Sequence, residues 1–197
     1  MGGKKRLGVG VISLGWMGRL HTRSYKAVAE YFPELGVEVE LVAAADPIDS
    51  VREEATGKLG FKRAYADYHE LLADPEVDIV SIASPNFLHK EIALAAIAAG
   101  KPFWIEKPMG VSAEQSREIA QAAEKAGLVS AVGFNYRHTP AIEYMRTLVR
   151  EGKLGRLTNV RVWFIADYNS SPLSPLTWRA SKEKAGAGVV PDLMSHG

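Results

Sequence analysis

Lys107 closes the run Phe103-Trp104-Ile105-Glu106-Lys107-Pro108, in which a short apolar stretch ends in an acid, a base and a proline. Proline restricts the residue before it to an extended conformation, so the backbone itself aims Lys107. The carboxyl ends of strands are where open α/β sheets bind ligands. A lysine there can orient a substrate or handle a proton, given a cofactor and a partner base. Far along the chain, Asp192 and His196 are spaced by four and would share one face of a helix. Read alone, that pair is better explained as a carboxylate–imidazole contact stabilising a helix. A metal centre is not indicated, since His21, His69, His89 and His138 stand in other contexts and no third ligand is evident.

A second group of residues has the chemistry to hold a dinucleotide. Ser13-Leu14-Gly15-Trp16-Met17-Gly18 is the fingerprint Gly-x-Gly-x-x-Gly with serine at its first position. Gly15 would admit a pyrophosphate, Gly18 would let a helix pack on the strand, and the helix N-terminus attracts negative charge. Asp46 ends the next apolar run, where an acidic side chain accepts hydrogen bonds from ribose hydroxyls. It lies further from the glycines than usual, and the surplus is placed in the loop Tyr31–Glu38. Pro47 and Ile48 follow with no adjacent arginine to welcome a 2′-phosphate, which favours NAD over NADP. Ser84-Pro85-Asn86, with His89 one turn on, forms a third such turn.

Elements that alternate must bring these turns to one edge. Leu7–Ile12, Val39–Ala45, Val77–Ala83, Pro102–Ile105 and Val129–Gly133 read as strands, with Lys62–Tyr65 a short additional one. Helices fit Trp16–Ala29, Asp49–Leu59, Asp67–Leu72, Phe87–Ala99 and Ser112–Ala126. Ser112 with Gln115 makes a capping box, and Gly100 and Gly127 stand at C-caps. This predicts an α/β fold, a doubly wound parallel sheet, over residues 1–133. From 134 to 197 the rhythm changes: a helix fits Ala141–Arg150, Leu157–Asp167 is the longest strand-like run, and Pro191–Gly197 is a helical start. One strand is too few for a sheet domain. The expectation is therefore the incomplete start of a second α/β domain in a truncated chain.

Composition excludes several function classes. With 47% hydrophobic and 24% charged residues the 197-residue chain reads as globular, and a net charge of +1 gives no electrostatic case for nucleic acid. No apolar run approaches membrane-spanning length. Absence of cysteine removes disulfides and thiolate sites, and the chain is expected to be cytoplasmic.

With these residues laid out, the chain resembles the glucose–fructose oxidoreductase and inositol dehydrogenase family (Gfo/Idh/MocA). The resemblance rests on Gly15-Trp16-Met17-Gly18 with His21, the Ala83-Ser84-Pro85-Asn86 turn with His89, Glu106-Lys107-Pro108, Gly133-Phe134-Asn135-Tyr136-Arg137 and Asp192-x-x-x-His196. Ser13 is the one departure. The family implies an N-terminal Rossmann domain, a C-terminal substrate domain and a homo-oligomer at full length. It implies a catalytic trio of Lys107, Asp192 and His196. His196 would be the general base, Asp192 would orient it or bind a hydroxyl, and Lys107 would stabilise alkoxide charge. Glu106 would position the lysine and lie near the nicotinamide ribose.

The resemblance places Ser13, Gly15, Trp16, Met17, Gly18, Asp46, Ser84, Asn86, His89, Glu106, Lys107, Asn135, Trp178 and Arg179 at the cofactor. Arg137 and Tyr168 join the trio at the substrate. The stretches 134–141 and 174–179 are similar to the levoglucosan-dehydrogenase-like branch, which implies hydride transfer between NAD and a sugar, anhydrosugar or cyclitol. Two alternatives stay open: an NAD-dependent glycoside hydrolase on the same fold, and a non-catalytic dinucleotide-binding protein.

Overall fold

The computed structural model describes residues 5–167 and 170–196. Six parallel strands form one sheet in the order β3-β2-β1-β4-β5-β6. They are β1 (Lys5–Ile12), β2 (Val37–Ala45), β3 (Arg63–Tyr65), β4 (Ile79–Ile82), β5 (Phe103–Ile105) and β6 (Ser130–Val132). Helices α1 (Trp16–Tyr31), α2 (Asp49–Gly57), α3 (Tyr68–Ala73), α4 (Asn86–Ala98) and α5 (Ala113–Lys125) make the crossovers. Each short apolar run predicted from sequence is a strand here because both faces of a parallel sheet are covered by helices. One core cluster joins Leu71, Ile92, Ile105 and Ile119 on one face, and another joins Val9, Val11, Leu14 and Phe61 on the other.

Strand order reverses between β1 and β4, so a crevice opens beyond their carboxyl ends. The turn after β1, the turn after β2 and the turns after β4 and β5 all meet there. The extra length between the glycines and Asp46 is spent in the long α1, a 3-10 turn at Pro33–Leu35 and a left-handed Gly36. Ser112 caps α5 by accepting from the Gln115 N–H at 3.3 Å, while the Gln115 side chain returns to the Val111 N–H rather than to Ser112.

The C-terminal part contains α6 (Pro140–Arg150), α7 (Lys182–Ala185) and α8 (Val189–Asp192). Two expectations fail in this part. The run Leu157–Asp167 is not a strand: residues 157–167 carry no regular structure, and Val160, Trp163 and Ile165 are exposed. A strand exists by pairing, and no described segment pairs with this run. The stretch after Pro191 is not a continuous helix either. A single α turn ends at Asp192 and a 3-10 turn, Met194–His196, follows.

Candidate active site

The glycine turn after β1 is built by three backbone constraints. Ser13 adopts a left-handed conformation, φ 69°, where the fingerprint has glycine, and its N–H donates to the Ala45 carbonyl at 2.8 Å. A Cβ on Gly18 would stand 2.0 Å from the Ser13 carbonyl oxygen, so only glycine lets α1 pack this close. At Gly15, the N-cap of α1, a Cβ would meet nothing within 4 Å. The packing of the protein does not require glycine there; the open face in front of it suits a ligand pressed against the backbone. No side chain caps α1, so its first N–H groups remain available to a pyrophosphate. Trp16 is exposed and Met17 half-buried beside them.

Asp46 is buried at the end of β2, and its carboxylate fixes this turn. Oδ2 accepts from the Leu14 N–H at 3.0 Å and Oδ1 from the Ile48 N–H at 3.1 Å. Arg52, which the sequence reading passed over, donates to the Asp46 carbonyl at 2.8 Å and pairs with Asp49.

After β4, Ser84 and Asn86 are buried in the turn that starts α4, and Ser84 Oγ has no hydrogen-bond partner among the described residues. His89 is not placed to touch a cofactor. Its ring is fully buried, with Nδ1 and Nε2 each 2.8 Å from a carbonyl oxygen, of Pro108 and Ser84 respectively. Burial holds its pKa below the ordinary histidine value against the upward pull of those carbonyls and of Glu106. His89 ties together the turns after β4 and β5. A histidine on a first helical turn reads as a surface residue, and only the packed turn reveals this role.

Lys107, just beyond β5, reaches across to the C-terminal part. Its ammonium donates to the Asp192 carboxylate at 2.6 Å and to the Asp192 carbonyl at 2.8 Å. The residue holding the lysine is therefore Asp192, not Glu106. Glu106 instead accepts from or shares a proton with His21, whose Nε2 lies 2.9 Å from Oε1. His196 stands close enough for Lys107, Asp192 and Glu106 to act on its pKa, which falls below the ordinary value chiefly through burial and then through the Lys107 charge. Its Nδ1 is buried with no partner among the described residues.

Two aromatic rings that the sequence reading did not assign to the site hold His196. Tyr136 lies 4.5 Å from it and Phe164 stacks at 5.4 Å, centroid to centroid. Tyr136 is 43% exposed.

The remaining residues are spread around this centre. Asn135 and Arg137 are exposed, and Arg137 lines a cavity of about 320 Å³ with Trp104, Phe134, Ile142 and Arg146. Trp178 packs edge-on to Phe87 on α4, with the Arg179 guanidinium 4.4 Å from its ring. Tyr168 lies outside the described residues. Among the described residues no group of three or more histidine, aspartate or glutamate side chains is arranged to hold a metal ion.

Comparison with known proteins sorts the chain into two matched regions. Residues 7–134 match a family profile described as "Oxidoreductase family, NAD-binding Rossmann fold", and residues 142–197 match "GFO/IDH/MocA C-terminal domain". A levoglucosan dehydrogenase of Pseudarthrobacter phenanthrenivorans is 37% identical over 98% of this chain and 49% of its own length. A 1,5-anhydro-D-fructose reductase of Ensifer adhaerens is 38% identical over 70% of this chain and 40% of its own. Among solved structures, levoglucosan dehydrogenase in complex with NADH and levoglucosan superposes with a TM-score of 0.89 at 33% identity, covering 98% of this chain and 52% of that one. The chain spans about half the length of the curated relatives it matches.

Proposed function

The chain belongs to the Gfo/Idh/MocA oxidoreductase family, and from that premise we propose that it forms the cofactor half and part of the substrate half of an NAD-dependent dehydrogenase for a sugar, anhydrosugar or cyclitol. The observation that carries this reading is the Lys107–Asp192 contact beside His196, at the sheet edge shared with the glycine turn. The partition follows the chemistry: residues 1–133 hold the dinucleotide, and residues 134–197 bring Asp192 and His196 to it.

The residues present fit a dinucleotide. Gly15 leaves its face open, α1 offers uncapped N–H groups, and Asp46 and Glu106, just beyond β2 and β5, would take the ribose hydroxyls. Bound NAD would supply a hydride acceptor for the substrate carbon. The chain's own residues manage the proton and the charge. Lys107 keeps two of its protons on Asp192 and has a third to donate to the reacting oxygen. That bond strengthens as alkoxide character develops, which is the condition for lowering the barrier. His196, with its pKa lowered by burial and by the adjacent ammonium, is neutral at physiological pH and accepts the hydroxyl proton. Tyr136 and Phe164 fix the plane of that ring. Arg137 and Trp178 supply a hydrogen-bonding group and a stacking face for a polyhydroxylated substrate.

The test is a calorimetric titration of the chain with NAD and NADP, followed by a spectrophotometric screen of the protein with NAD against 1,6-anhydrosugars, aldoses and inositols. NAD binding stronger than NADP binding, with NADH accumulating on one polyol class, is the expected result. Failure to bind either dinucleotide overturns the reading. Product release without net NADH would replace it with glycoside hydrolysis.

A further inference from the structure

Ser81, His21 and Glu106 form a connected line of polar side chains, and the first two have no assigned role. His21 and Tyr25 sit one turn apart on α1, Ser81 lies in the middle of β4, and Glu106 follows β5. His21 Nδ1 is 2.6 Å from Ser81 Oγ and His21 Nε2 is 2.9 Å from Glu106 Oε1, and Ser81 is near enough to the Tyr25 hydroxyl to pull its pKa down against the larger effect of burial. Ser81 is fully buried, and the side chains of His21 and Glu106 are only 12% and 10% exposed. Leaving any of these groups without its partner would strand a buried polar atom.

We propose that Ser81 and His21 form a directional hydrogen-bond chain that fixes the Glu106 carboxylate against the cofactor, which makes His21 a positioning residue of the site. This deepens the dehydrogenase reading, because it rests on Glu106 as a dinucleotide contact. The direction follows from donor inventory. A carboxylate only accepts, so His21 Nε2 carries the proton shared with Glu106. In the neutral ring Nδ1 then presents a lone pair, and the Ser81 hydroxyl donates into it.

Two neighbours remove the freedom that Glu106 would otherwise have. Trp104 closes one side of the His21 ring edge-on, with centroids 6.3 Å apart. On the other side a Cβ at Gly133 would lie 2.7 Å from Glu106 Oε1, so the carboxylate already fills that space. The line thus crosses from a central strand, over a helix, to a carboxylate at the crevice, and it ends where a cofactor would read its geometry.

The experiment is a calorimetric titration with NAD of the wild-type chain and of His21→Leu, His21→Gln, Ser81→Ala and Tyr25→Phe, with the thermal unfolding midpoint of each. His21→Leu is expected to weaken NAD binding about tenfold, the loss of one hydrogen bond to a charged group. His21→Gln keeps an amide donor at the reach of Nε2 and should restore most of it at an unchanged midpoint. Ser81→Ala should give a smaller loss, and Tyr25→Phe should bind NAD as wild type does. Nitrogen-15 NMR of the wild type should show the His21 proton on Nε2. NAD binding by His21→Leu equal to wild type overturns the proposal, as does equal weakening by Leu and Gln that tracks a lowered midpoint. Should the Leu variant not fold, Ser81→Ala decides: unchanged binding there overturns the proposal too. A wild-type chain that binds no NAD refutes the cofactor reading itself, a distinguishable failure.

Discussion

Lys107 and Asp192 stand 85 residues apart in sequence and are joined twice, through the aspartate's carboxylate at 2.6 Å and its own carbonyl at 2.8 Å. The double contact fixes the ammonium in direction as well as in place. It also makes the C-terminal turn a structural partner of the strand edge.

Asp192→Asn should therefore cost catalysis more than cofactor binding. The neutral amide keeps the backbone contact and loses the charge that anchors Nζ. In the complete protein kcat is expected to fall about a hundredfold to ten-thousandfold, with NAD affinity within about twofold of wild type. Lys107→Met should match that loss, and the double variant should be no worse than either alone. Additive losses in a double-mutant cycle would show the two acting separately.

His196 supplies a pH prediction with a fixed sign. Its pKa lies below the ordinary 6.5, so the acid limb of the rate profile should fall below pH 6.5, activity being lost as the base takes a proton. Burial is the larger cause and the Lys107 charge the second, while Asp192 acts in the opposite direction. In NMR titrations Lys107→Met should raise the His196 pKa and Asp192→Asn should lower it further. Movement of both variants in one direction would contradict the charge arrangement described.

The sheet was legible because buried parallel strands are short apolar runs between turn residues, and each one predicted before residue 134 is present within a residue or two at its ends. The same signal misled at Leu157–Asp167, where the run is apolar but no described segment pairs with it. The glycine turn after β1 and the strand ends that carry Asp46 and Lys107 were legible from local spacing. The partners of Glu106 and Lys107 were not, since each lies 85 residues away and is reached only through the fold. His89 was misplaced for the same reason: its two carbonyls belong to turns that sequence does not show to be adjacent.

Acid stability depends on a pair remote from the site. The Asp74 side chain, 2% exposed, accepts from Arg63 at 2.6 and 2.9 Å and from the Tyr65 hydroxyl at 3.2 Å. The Arg63 hydrogen bonds hold its pKa below the ordinary carboxylate value. A group depressed in the folded state stabilises above its unfolded pKa, and that contribution is lost as pH falls through the folded value. Asp74→Asn should thus lower the unfolding midpoint at neutral pH by several degrees, and the difference from wild type should shrink below about pH 4. A constant difference across that range would assign the loss to packing.

The glycine turn offers a test that separates folding from binding. Gly18→Ala puts a methyl 2.0 Å from the Ser13 carbonyl oxygen, so the chain should lose stability whether or not cofactor is present. Gly15→Ala meets nothing within 4 Å and should unfold at the wild-type midpoint, yet bind NAD at least tenfold more weakly, because the methyl occupies the space reserved for the pyrophosphate. Ser13→Gly relieves the left-handed conformation at φ 69° and should stabilise the chain by about 1 kcal/mol. Thermal melts with and without NAD separate all three. If Gly15→Ala binds NAD as wild type does, the open face above α1 is not the pyrophosphate site, and the dinucleotide must lie elsewhere in the crevice.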